Sequence, residues 1–155
     1  MIKRTTIIEA VVLINIILFL YTGIAKIMDY TLFREQLAVS PILSWAATPV
    51  AILLPIVEFI VVLMLIVTRW RLKGLYACFG LMTAFLVYIV AMYTFAPEMP
   101  CSCGGLIELL SWKGHMIFNA VFMLIDAIAI RLQRQEKKGR LNSSSEVNGI
   151  RISHG

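Results

Sequence analysis

Four apolar runs, each about the length of a bilayer crossing, leave this chain few folds to choose from. They cover residues 7–26, 48–68, 74–95 and 113–131. A helix needs about 20 apolar residues to cross roughly 30 Å of hydrocarbon. In lipid every backbone N–H and C=O must be paired within the protein, so a crossing segment is a helix or a strand of a closed barrel. The alternating pattern of barrel strands is absent here. The expected fold is all-α: an integral membrane four-helix bundle over residues 1–135. Residues 136–155 turn polar, with Asn142-Ser143-Ser144-Ser145, and are expected to form a disordered cytoplasmic tail.

Composition supports this reading. The chain is 60% hydrophobic and 15% charged, which excludes a soluble domain of 155 residues. Its net charge of +5 is no nucleic-acid signal, because the basic residues sit at the ends of the apolar runs. Lys3, Arg4, Arg69, Arg71, Lys73, Arg131, Arg134, Lys137, Lys138, Arg140 and Arg151 all fall on one side of a four-span protein. Only Lys26, Arg34 and Lys113 fall on the other. The positive-inside rule then predicts a multi-pass protein of a bacterial inner membrane with both termini cytoplasmic. Gly23-Ile24-Ala25 has the small-x-small form of a signal-peptidase site. The apolar stretch before it is longer than the roughly 7–15 residues of a signal core, so it reads as a span.

Between the first two runs, Leu32, Phe33, Leu37, Ile42, Leu43 and Trp45 alternate with Asp29, Arg34, Glu35 and Gln36. This pattern predicts a short amphipathic helix at the outer interface, from about Thr31 to Val39, ending near Pro41. Trp45, Trp70 and Trp112 lie near span ends, as interfacial aromatics do.

The other outward loop holds Met99-Pro100-Cys101-Ser102-Cys103-Gly104-Gly105. Two thiols one residue apart in an oxidising compartment can form a strained bridge, bind a soft metal or serve structure alone. Strain makes a bridge easy to reduce and hence a good oxidant. A helix start or a protonated His115 nearby would favour the reactive thiolate. Cys78 lies 23 residues earlier, most of them helical, too far to bridge either thiol, and is expected to pack in the core.

Polar residues inside the spans form faces. His115, Asn119, Phe122 and Asp126 share one side of the fourth helix, and Asn15, Thr22 and Lys26 one side of the first. Glu58 sits mid-way along the second, three residues after Pro55. Such groups turn inward. They predict a polar seam between spans one, two and four, with Lys26 and His115 at its outer mouth and Lys26 as candidate partner of Glu58. Asn15, Thr22 and Asn119 are expected to bond between helices. Asp126 and Glu9 are expected to meet basic residues near the cytoplasmic ends.

Three pieces carry a family resemblance: Tyr21-Thr22-Gly23-Ile24-Ala25-Lys26-Ile27-Met28-Asp29, Leu54-Pro55-Ile56-Val57-Glu58, and Cys101-Ser102-Cys103-Gly104-Gly105 followed by Leu110-Ser111-Trp112-Lys113-Gly114-His115 and Asn119. With them the chain resembles the MauE/DoxX group of small four-span membrane proteins over about residues 20–131. The resemblance implies redox work beside a periplasmic thioredoxin-like partner for the MauE branch, and quinone-coupled chemistry for the DoxX branch. Gly104-Gly105 stands where MauE relatives commonly have Cys-Phe-Gly, so the resemblance carries the thiol pair and no specific substrate.

The leading expectation is a thiol–disulfide oxidoreductase. Cys101 and Cys103 exchange electrons with the thioredoxin-like partner, and His115 carries the proton. Lys26, Glu58, Asn119 and Trp112 line a proton path or a quinone slot. Quinone is the one cofactor in view, lipid the surrounding partner, and no resident metal is expected. The alternatives are copper handling through Cys101, Cys103, Met99 and His115, or a non-catalytic assembly subunit.

Overall fold

The structure, a computed structural model, describes residues 4–95 and 112–153. Among these the chain is helical and has no strand: α1 (Arg4–Met28), α2 (Tyr30–Val39), a 3-10 turn (Ser44–Ala46), α3 (Ala47–Ile66), α4 (Arg71–Phe95) and α5 (Trp112–Ser153). Four of the helices contain stretches long and apolar enough to span a membrane: Arg4–Met28, Ser44–Ile66, Arg71–Phe95 and Lys113–Gly139. The spans run alternately up and down. Helix α1 lies beside α3, α3 beside α4, α4 beside α5, and α5 returns to α1, so the bundle closes on itself.

Burial differs from that of a water-soluble protein at both extremes. The wholly buried side chains include Glu58, Asn15 and Asp126, whereas Leu13, Ile17, Leu53, Leu63, Val87, Ile117 and Leu124 are exposed. Apolar surface of that extent is untenable in water and natural against lipid tails. Along α1 the buried stripe is Ile8, Val11, Val12, Asn15, Phe19 and Gly23, a spacing of one helical face. It meets the Ala47, Ala51, Pro55, Glu58, Val61, Val62 and Leu65 stripe of α3. The main core joins these to Leu75, Cys78 and Met82 of α4 and to Ala129 and Ile130 of α5. Cys78 is a fully buried free thiol, in keeping with a core role.

The amphipathic segment is helical over Tyr30–Val39, close to the expected 31–39. It does more than rest on the interface. Leu37 is buried, and Tyr30, Phe33, Leu43 and Val50 gather around Leu37, Ala47 and Ala51 at the start of α3. Ser40 ends the helix and is wholly buried. Its hydroxyl accepts from the Ile42 and Leu43 N–H groups, each at 3.3 Å, and donates to Met92 Sδ of α4 at 3.3 Å.

At the opposite end the start of α1 meets the later part of α5. Thr5 Oγ1 donates to Glu136 Oε1 at 2.9 Å, and Arg4 reaches Gln135. Glu9 of α1 pairs with Arg71 at the start of α4 at 2.5 Å. The tail differs from its expectation in backbone conformation: α5 continues through residue 136 to Ser153. The segment contains no proline, and a chain leaving a formed helix extends it at little nucleation cost.

The α3–α4 turn is closely packed at Gly74. A Cβ at Gly74 would lie 3.0 Å from Leu65 Cδ2 and 3.1 Å from the Leu65 backbone nitrogen. A Cβ at Gly80 would meet nothing within 4 Å. Gly74→Ala is therefore expected to cost about 1–3 kcal/mol through overpacking. Gly80→Ala should be neutral or stabilising by up to about 1 kcal/mol through helix propensity. Thermal unfolding of both variants in detergent checks the contrast.

Candidate functional site

Among the described residues, two clusters hold the buried carboxyl groups, at different depths. The first is built on Glu58, whose side chain is 0% exposed. An apolar helix carries this carboxylate into the interior, where it must find a cation or a donor. Lys26, a single turn beyond Thr22 on α1, supplies both. Its Nζ donates to Glu58 Oε1 at 2.7 Å, and its side chain is 15% exposed. Thr22 Oγ1 also lies 3.4 Å from Glu58 Oε1, and Lys26 Nζ reaches the Thr22 carbonyl at 3.4 Å.

Two aromatic rings complete the setting of the ammonium. Phe33 of α2 and Phe85 of α4 each have their centroid 5.8 Å from Lys26 Nζ, within reach of a cation–π attraction. Gly23 lets α1 come this close to α3. A Cβ there would stand 3.3 Å from the Phe59 ring tip and 3.4 Å from Glu58 Oε2. The second carboxylate oxygen, Oε2, is buried and has no hydrogen-bond partner.

The second cluster links α1 to α5. Asn15 and Asp126 are both 0% exposed, and Asn15 Nδ2 donates to Asp126 Oδ1 at 2.8 Å. This corrects the expectation that Asp126 meets basic residues at the cytoplasmic end. Only Glu9 of that pair finds one, in Arg71. Asp126 sits at a level where the facing residue of α1 is an amide.

His115 lies eleven residues before Asp126, and Lys26 eleven after Asn15 on the antiparallel α1. At 1.5 Å per residue both are roughly 16 Å from the Asn15–Asp126 contact, toward the same end. The expected shared depth of Lys26 and His115 follows. Asn119 turns to its own helix, with Nδ2 donating to the His115 carbonyl at 2.9 Å and lying 3.4 Å from His115 Nδ1. With Nδ1 as acceptor, the neutral ring carries its proton on Nε2. His115 Nε2 is buried and has no hydrogen-bond partner among the described residues.

The expected seam is thus two clusters. Spans one and two meet at Lys26–Glu58, with rings from α2 and α4; spans one and four meet at Asn15–Asp126. Trp112 is the first residue of α5. Cys101 and Cys103 lie outside the described residues, between Phe95 and Trp112. Phe33 reads from the sequence only as part of the amphipathic segment, and Phe85 and Ser40 carry no sequence signal. A ring placed over a cation, or a serine closing a helix onto a distant methionine, leaves no periodic signal.

Apolar helices with their polar side chains turned inward define a multi-pass helical membrane protein. Within that class the lineage is specific. Residues 4–132 match the family described as methylamine utilisation protein MauE, and the chain belongs to that family. No curated protein and no solved structure matches it.

Removing one member of a buried ion pair strands the other, at a cost of about 3–5 kcal/mol, whereas replacing both with apolar residues is often neutral. Glu58→Leu and Lys26→Met should each lower the unfolding temperature in detergent markedly. The double variant should recover most of the loss, and a double-mutant cycle measures the coupling.

Proposed function

We propose that this MauE-family protein is a thiol–disulfide exchange protein of a bacterial inner membrane, with Cys101 and Cys103 on the outward side. Family membership supports the reading. The observation that carries it is the place where the thiol loop is tethered. Helix α4 passes the Lys26 ammonium at Phe85, meets Ser40 at Met92 and ends at Phe95. Helix α5 begins at Trp112, one turn from His115 and its unpartnered Nε2. Those flanking helix ends lie toward the end of the bundle that holds Lys26 and His115, which supports an outward position for the thiols between them.

The opposite end gathers Arg4, Arg71, Lys73 and Arg131 with the Thr5–Glu136 contact. Under the positive-inside rule that end is cytoplasmic, which puts both termini inside and the thiols in an oxidising compartment.

A thiolate of the pair attacks one sulfur of a partner's disulfide. A mixed disulfide forms and the partner's other sulfur leaves as a thiolate. The remaining thiol of the pair loses its proton and attacks the mixed disulfide. The Cys101–Cys103 bridge closes and the partner departs as a dithiol, having gained two electrons. In reverse, the same steps oxidise the partner. His115 is the group suited to hold the transferred proton. The partner is a periplasmic thioredoxin-like protein, the fold class that presents an exposed reactive sulfur pair. A quinone, where it serves as electron sink, would find His115 Nε2 free for its carbonyl, since Lys26 is engaged by Glu58 and Thr22. Asn119 holds the His115 ring in position. The name of the family points to methylamine utilisation as the setting.

The test is thiol trapping in cells quenched with acid. Cys101 and Cys103 should cycle between alkylatable and protected forms, and Cys101→Ala or Cys103→Ala should accumulate one mixed disulfide whose partner mass spectrometry identifies. Permanently reduced thiols refute the redox reading. Copper that co-purifies and is lost in Cys101→Ser would replace it with metal handling, and full cellular activity of the double Cys→Ser variant would leave a scaffold role.

A further inference from the structure

The Asn15–Asp126 contact is short of a donor. Asn15 Nδ2 spends both hydrogens, one on Asp126 Oδ1 at 2.8 Å and one on the Val11 carbonyl at 2.9 Å. Asn15 Oδ1 and Asp126 Oδ2 are then two buried acceptors with no hydrogen-bond partner. An ionised carboxylate only accepts, and a neutral carboxylic acid adds one O–H donor.

Among the described residues no counter-charge is in place to hold an ion there. On α1 the charged neighbours are Glu9, paired with Arg71, and Lys26, paired with Glu58. Glu58 is the carboxylate of α3, and the titratable core group of α4 is Cys78, itself uncharged as a buried thiol. On α5, His115 is three turns away and Arg131 begins the basic end. A wholly buried carboxylate without a cation is neutralised.

We propose that the Asn15–Asp126 pair is a proton-binding site in the middle of the bundle, with Asp126 held as the neutral acid at neutral pH. The added proton on Oδ2 supplies the donor that the two orphaned oxygens lack. The two buried carboxyl groups of the bundle then differ in kind: Glu58 is matched by an ammonium, and Asp126 by a proton. This inference does not rest on the thiol chemistry.

Asp29 and Asp126 are the only aspartates in the chain, and Asp29 is exposed. Protein grown with carboxyl-labelled aspartate and reconstituted into liposomes therefore reports Asp126 by infrared spectroscopy without any change to Asp126. At neutral pH the expected result is an isotope-shifted C=O stretch of a protonated acid, slow to respond to deuterium oxide and retained in Asp29→Asn. Asn15→Leu, which removes the amide, should shift that band to higher frequency. Carboxylate stretches alone at neutral pH would overturn the proposal. Carboxylate stretches together with a sodium-dependent rise in unfolding temperature would overturn it in favour of a bound cation.

Discussion

A carboxylate carried into the interior of a lipid-embedded bundle has to be answered from within the protein, and Glu58 organises its surroundings accordingly. The answering ammonium comes from Lys26, near the end of α1, which sets the register of α1 against α3. Gly23 allows the approach, since a Cβ there would press on Phe59 and Glu58 Oε2. Phe33 and Phe85 bring α2 and α4 to the same ammonium. One ion thereby connects four of the five helices. Buried ion pairs contribute little net stability because desolvation offsets most of the attraction. Their value here is geometric: a shifted register would strand a charge in hydrocarbon.

The second contact works by different physics. Asn15–Asp126 closes the ring of helices by joining α1 to α5 through an amide and a carboxyl group. The surrounding core, with Phe19, Leu65, Leu75 and Cys78 fully buried, excludes water from it. The ion pairs flank this contact, Lys26–Glu58 lying toward one end of the bundle and Glu9–Arg71 toward the other. The middle is held by apolar contact and by Asn15–Asp126. Helix α4 ends and α5 begins toward the Lys26 end.

Much of this was legible in the residues. Apolar length gave the spans because lipid leaves the backbone one economical solution. Interspersed charge in 29–36 revealed α2, and the need to neutralise Glu58 pointed to Lys26. The reading went astray where depth mattered. Helical spacing put Asp126 on the inward face of α5, but the face says nothing about what stands across from it, and the basic residues expected to meet it lie further along. The single seam likewise resolved into two clusters, because inward-facing positions on separate helices need not be level. Phe85 and Ser40 escaped notice, and Phe33 read only as an apolar residue of the connector, because their roles exist only once distant segments are in contact.

Hydropathy and charge order alone established an all-helical, four-span protein, the amphipathic connector and the end at which the basic residues collect. Those properties follow from how single segments partition between water and lipid, and they need no knowledge of neighbours. Tertiary structure decided which polar group meets which: Lys26 with Glu58, Glu9 with Arg71, Asn15 with Asp126. Pairing depends on the relative rotation and depth of helices far apart in the chain, and those are set by side-chain contact across the bundle.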